Sequence, residues 1–208
     1  ILRNLKHEFL KLGGALVFAD GYLASRSAAL LQPYNDNPVE KGRLLCSKED
    51  MAKLTEKIRL NCLDLIIHAV GDKAIEAALT VIEETCEPSA KPLRTRIEQA
   101  AVLNFELIER MKKLQVTVSV QANVVASEFK VWSAVERLGV KRARMLFPIE
   151  TLLKNGVRVV GGSDCPMEPL NPLLGIQASV TRDVFSEEQI SVEDALRMYT
   201  INAAYASS

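Results

Sequence analysis

Histidine is scarce in this chain. Its 208 residues include two, His7 and His68. Any imidazole-based site therefore has few imidazoles to draw on. Four cysteines are present (Cys46, Cys62, Cys86 and Cys165), and none stands in CxxC spacing. That excludes a zinc knuckle and a thioredoxin-type motif. With no signal-like start, the cysteines read as reduced thiols of a cytoplasmic protein. Charge of one sign is lacking too: 26 Lys plus Arg balance 26 Asp plus Glu. No basic field argues for nucleic acid, and no polybasic run argues for anionic lipid. No apolar run approaches the roughly 18–20 residues of a membrane span. The GxGxxG of a dinucleotide site is absent after the first strand-like segment. The chain opens Ile-Leu-Arg-Asn and closes inside a helical pattern, so both ends are expected to be cut from something longer.

Hydrophobic residues make up 48% of the sequence, which suits a globular core. Strand-like and helix-like segments alternate. Ala15–Ala19 is a short apolar run between Gly13-Gly14 and Asp20-Gly21. Ser47 then precedes a helix to about Asn61, with Asp50 where a capping box usually has Glu or Gln. Leu63–His68 is the second strand. Its helix, Asp72–Thr85, places Ile75, Ala78, Leu79 and Ile82 on one face. A third strand falls within Leu93–Val102, a helix within Phe105–Leu114, and a period-two strand within Val116–Gln121. From Ala122 to Pro148 the pattern predicts one helix near Trp132–Leu138 and a solvated basic turn at 141–144. Ile149–Asn155 reads as a helix stopped by Gly156, and Val157–Val160 as the last strand. After a proline-rich loop, Ser191 caps a final helix. About five strands with intervening helices imply an α/β fold with parallel strands. A small open sheet and part of a TIM barrel both fit.

Two residues stand at strand ends. His68 closes the run Leu63-Asp64-Leu65-Ile66-Ile67, with a helix starting just beyond it. Asp164 follows the last strand through Gly161-Gly162-Ser163. In α/β proteins the carboxyl ends of strands are where ligands and metals gather. His68 and Asp164 could ligate a divalent metal or form an acid–base pair. The bland alternative is a tight turn whose Asp caps the next element. Asp72 reads as a structural carboxylate at a helix start. Cys165 reads as a small buried thiol, and Arg94 and Arg96 as rim residues.

Five segments, in order, resemble one family. Phe18-Ala19-Asp20-Gly21-Tyr22-Leu23-Ala24-Ser25-Arg26-Ser27-Ala28-Ala29-Leu30 is similar to its F-A-D-G-S-L-G-S-R-T-A-A-L. His68–Ala74 is similar to H-A-I-G-D-x-A, Arg96–Ala100 to R-I-E-H-A, Gly162–Pro166 to G-S-D-x-P, and Tyr199–Ala204 to Y-T-x-N-A-A. The family is the amidohydrolase superfamily, in the branch that includes N-substituted formamide deformylase-like proteins.

The resemblance implies the later part of a metal-dependent TIM barrel, from about the fourth strand to the eighth. Residues 1–208 would form a single partial domain, without the first strands, their His-x-His motif or the flanking β-sandwich. It implies His68 and Asp164 as metal ligands, zinc as the expected divalent metal, and Asp164 as the catalytic acid–base group. Asp164 would take a proton from metal-bound water and pass it to the leaving nitrogen of a small-molecule amide. Three positions depart from the family pattern. Leu16 stands where some members have Lys, Gln99 where the sixth-strand His belongs, and Val124 where Q-P-x-H has its His. An impaired hydrolase, a non-catalytic relative and a fragment without its own function are the readings that follow. The open edges of a half-barrel predict a homodimer, or pairing with the missing amino-terminal half.

Overall fold

The computed structural model describes residues 12–85, 94–130 and 133–207. His7, Cys86 and Trp132 lie outside them. Five strands form one sheet in sequence order: β1 (Gly14–Phe18), β2 (Asp64–Ala69), β3 (Thr95–Gln99), β4 (Thr117–Val120) and β5 (Arg158–Gly161). Every neighbouring pair is parallel. Each crossover carries helix: α1 (Lys48–Leu60), α2 (Asp72–Thr85), α3 (Phe105–Lys113), then α4 (Ala122–Lys130), α5 (Ala134–Ala143) and α6 (Ile149–Lys154). After β5 come α7 (Pro172–Val180), α8 (Val192–Tyr199) and α9 (Ile201–Ser207). The expected α/β fold with parallel strands is what forms.

Alternation along the strands decides the two faces. Val17, Leu65, Ile67, Ile97, Val118 and Val159 are all buried, packed with the apolar sides of the helices. The intervening residues line the other face in two rows. One row is Leu16, Ile66, Arg96, Thr117 and Arg158; the next, nearer the carboxyl ends, is Phe18, His68, Glu98, Ser119 and Val160. At the β1 edge this face is bare, with Leu16 and Phe18 each 48% exposed. Arg96 and Glu98 form an ion pair upon it.

Local chemistry explains the helix starts. Ser47 Oγ accepts the backbone N–H of Asp50, Asn104 that of Leu107, and Ser191 that of Asp194. Asp72 Oδ1 accepts the N–H groups of Leu31 and Lys73, the structural role expected of it. Gly156, at φ +77°, turns the chain out of α6 as expected.

The sequence reading fails from Ala122 to Pro148. Two helices replace the one expected, and α5 is broken at Gly139, where φ is 72° and ψ 154°. Lys141, Arg142 and Ala143 belong to α5 rather than to a solvated turn. Arg142 reaches back to the carbonyls of Leu138, Gln32 and Pro33, so part of its charge serves tertiary structure. The proline-rich loop also contains a helix. Asn171 caps α7 and Pro172 takes its first turn, where a missing N–H does no harm. The final helix is two, parted at Thr200.

Candidate active site

All five strands run the same way, so their carboxyl ends meet at one mouth. His68 stands there in the second row of the concave face and is 5% exposed. The Phe18 ring lies 5.0 Å away on the adjacent strand and the Tyr22 ring 5.3 Å away. Its Nε2 is 3.5 Å from the carbonyl oxygen of Gly21. Burial holds the imidazole below the ordinary histidine range, opposed by the Gly21 carbonyl and by the charges of Asp164 and Glu98. A neutral ring is the form that binds a metal. The charge of Asp164 is a lesser influence on His68 than burial is.

Asp164 is exposed and left-handed, at φ 53°. Asp is among the few non-glycine residues that enter that region readily. Cys165 beside it is exposed, not the buried thiol expected. Gln99 ends β3 at φ 74° and is buried.

Asp164 and Gln99 share a cavity of about 230 Å³ with Tyr22, Val70, Val124 and Glu128. The cavity thus brings together Asp164 and two of the positions at which a family ligand is replaced, Gln99 and Val124. Leu16 lies one row further from the mouth.

Two acids at the mouth escaped the sequence reading. Asp20, just past β1, is 1% exposed and accepts three backbone N–H groups: Val70 at 2.9 Å, Gly71 at 2.9 Å and Ala29 at 2.8 Å. Burial pushes its carboxyl up to about 6 against the pull of those three donors. It bolts the loop after β1 to the loop after β2. Gly71 completes the join, because a Cβ there would sit 2.0 Å from the Ala29 oxygen. The signal that singled out Asp164, a carboxylate just past an apolar run, was present for Asp20 too. The other acid, Glu128, lies on α4 and is 7% exposed. Its Oε2 is buried without a hydrogen-bond partner. Burial raises its carboxyl to about 7, with Arg137 pulling the other way. Its signal was an acid three and four residues beyond Val125 and Val124, the spacing of one helix face.

A divalent metal would find two donors here, His68 and Asp164. Among the described residues no group of three or more His, Cys, Asp or Glu side chains converges to hold one. Catalytic zinc typically takes three protein ligands and a water. The residues of this chain alone do not complete such a site.

A parallel β/α sheet with polar residues at its strand ends is a scaffold of the α/β type, in which ligands gather at the carboxyl ends of the strands. The amidohydrolase family model matches residues 3–208, and the chain belongs to that family. The Bacillus subtilis protein YtcJ, by name an amidohydrolase, is 35% identical over 98% of this chain and 39% of its own length. The N-substituted formamide deformylase of Arthrobacter pascens is 28% identical over 96% of this chain and 38% of its own. The crystal structure of a metal-dependent hydrolase from Pyrococcus furiosus superposes with a TM-score of 0.88, at 33% identity, over 97% of this chain and 41% of that one. The chain thus spans about 40% of the length of these relatives, and its sheet is part of a TIM-type barrel. By name, the Pyrococcus furiosus protein and a similar one from Pyrococcus horikoshii, 35% identical with a TM-score of 0.85, are metal-dependent hydrolases. No helix among the described residues is long and apolar enough to cross a membrane.

Proposed function

We propose that residues 1–208 are one partial barrel domain of a metal-dependent amidohydrolase, which hydrolyses an amide or related C–N bond of a small molecule once the barrel is complete. The observation that supports this reading is that a buried His68, its imidazole held toward the neutral form, and an exposed Asp164 both stand at carboxyl ends of strands of one parallel sheet. Asp164 is the proton-handling residue: it accepts the proton of the attacking water and returns it to the departing nitrogen. His68 and Asp164 are the donors this chain offers to a divalent ion, with zinc as the expected occupant. The remaining donors come from outside the chain, either from the other barrel strands or from a second copy across the open sheet edges. The protein works in the cytoplasm on this reading, without nucleic-acid or membrane partners.

A second reading has its own observation. Gln99 and Val124 stand in the cavity where the family pattern has histidines, which favours a non-catalytic relative that keeps the scaffold for binding. Metal analysis separates the two. Zinc bound by the purified chain joined to its barrel partner, and lost in His68→Ala, supports the hydrolase; release of amine from N-substituted formamides would then confirm it. Absence of both zinc and hydrolysis in that closed assembly would leave the binding role.

A further inference from the structure

We propose that the cavity beside Asp164 is a recognition pocket for an organic ammonium group, with Glu128 as its counter-charge. This rests on the reading of the strand-end mouth as a substrate site, and it narrows the substrate to a molecule bearing a cationic amine on a compact apolar body.

The argument starts from an imbalance. Buried carboxylates are ordinarily paired or hydrogen-bonded, because an unpaired charge is poorly solvated in a protein interior. Glu128 is 7% exposed, and its Oε2 meets no hydrogen-bond donor. Arg137 favours ionisation of this carboxyl through its charge without bonding Oε2, and it donates through Nη1 to the carbonyl of Leu23 at 2.8 Å. The carboxyl is therefore left for something that enters the cavity it lines.

The walls say what enters. Leu23, Val70, Val124, Phe147 and Met167 give an apolar lining around Glu128 and Asp164. In such surroundings water screens weakly, so a single opposite charge is strongly preferred over a neutral donor. A cavity of about 150 Å³ is known to accept a benzene ring. At about 230 Å³ this one takes a six-membered ring with a short amine arm. A metal ion is the poorer occupant, since no three-donor cluster exists among the described residues. The elevated carboxyl of Glu128 agrees: below about pH 7 the empty pocket carries a proton on Glu128 that an arriving cation displaces, and above it the pocket presents a carboxylate.

Cyclohexylammonium and its neutral near-isostere cyclohexanol test the pocket by calorimetry and by chemical-shift mapping on the intact chain at about pH 8. The ammonium should bind roughly tenfold tighter than the alcohol or better, the margin a charge-assisted hydrogen bond supplies. Glu128→Gln, close in shape, should cut that preference severalfold, to whatever Asp164 and Glu168 in the same lining supply. Val124→Phe should weaken both probes alike by filling space. Equal binding of the two probes, binding of neither, or a preference undiminished in Glu128→Gln overturns the proposal. Zinc binding by the chain joined to its barrel partner, with and without His68→Ala, reports on the hydrolase reading separately. Cation preference lost with zinc binding kept would remove this pocket and leave the hydrolase reading standing.

Discussion

Asp20 Oδ1 accepts the backbone N–H of Val70 at 2.9 Å, while Oδ2 takes those of Gly71 and Ala29. One carboxylate thus fixes the two loops that frame His68. Removing it strands three buried N–H groups, each worth about 1–3 kcal/mol when left unmade. Asp20→Ala should lower the unfolding free energy by about 3 kcal/mol or more in urea titrations, and Asp20→Asn, which keeps one acceptor oxygen, by less. A loss under about 1 kcal/mol for Asp20→Ala would show that water replaces the carboxylate freely.

Glu128 makes stability depend on pH in an unusual direction. Its carboxyl titrates near 4.5 when unfolded and at about 7 when folded. Between those values the folded chain holds a proton that the unfolded chain has released. The contribution is full below pH 4.5 and is lost as pH rises through about 7. Glu128→Gln cannot titrate, so it should be the more stable variant at about pH 8, by roughly 2–3 kcal/mol, and lose that advantage near pH 4.5. Parallel stability profiles for the two proteins would contradict this.

Gln99→His restores an imidazole at the position where the family pattern has one, in the cavity shared with Asp164. Zinc affinity should tighten by about tenfold or more, in line with the effect of completing a ligand set. In the double variant His68→Ala, Gln99→His the gain should vanish. If calorimetry shows unchanged zinc affinity in Gln99→His, the two strand ends do not share a metal position.

Self-association is expected through the bare side of the sheet. Leu16 and Phe18 are each 48% exposed there, and β1 and β5 are both edge strands. Sedimentation over about two decades of concentration should reveal association, reduced in Phe18→Lys by a desolvated charge. A monomer throughout that range would rule out both edges as adhesive surfaces.

The strands and their direction were legible because each is a short apolar run bounded by turn residues, and His68 and Asp164 were legible as strand-end residues. The stretch from Ala122 to Pro148 was not. Gly139 breaks α5 in the middle, and Arg142 gives its charge to carbonyls near Pro33, over a hundred residues away in sequence, so no local pattern marks either role. Glu128 was missed for a related reason. An acid between valines and Phe129 reads as the polar side of a helix until tertiary packing buries it. Cys165 erred the other way, because a small thiol after a buried strand stays exposed when the chain turns outward at Asp164.

The strand order β1-β2-β3-β4-β5 also sets a timetable for solvent. Amides of β2, β3 and β4 have a neighbouring strand on both sides, whereas β1 and β5 have one. Deuterium uptake should therefore be slowest at β3 and quicken toward both rims, a gradient that reflects local opening rather than global unfolding. Any molecule that closes the arc must slow exchange at β1 and β5 together. That paired slowing would report completion of the barrel without requiring a substrate, a metal or an assay of turnover.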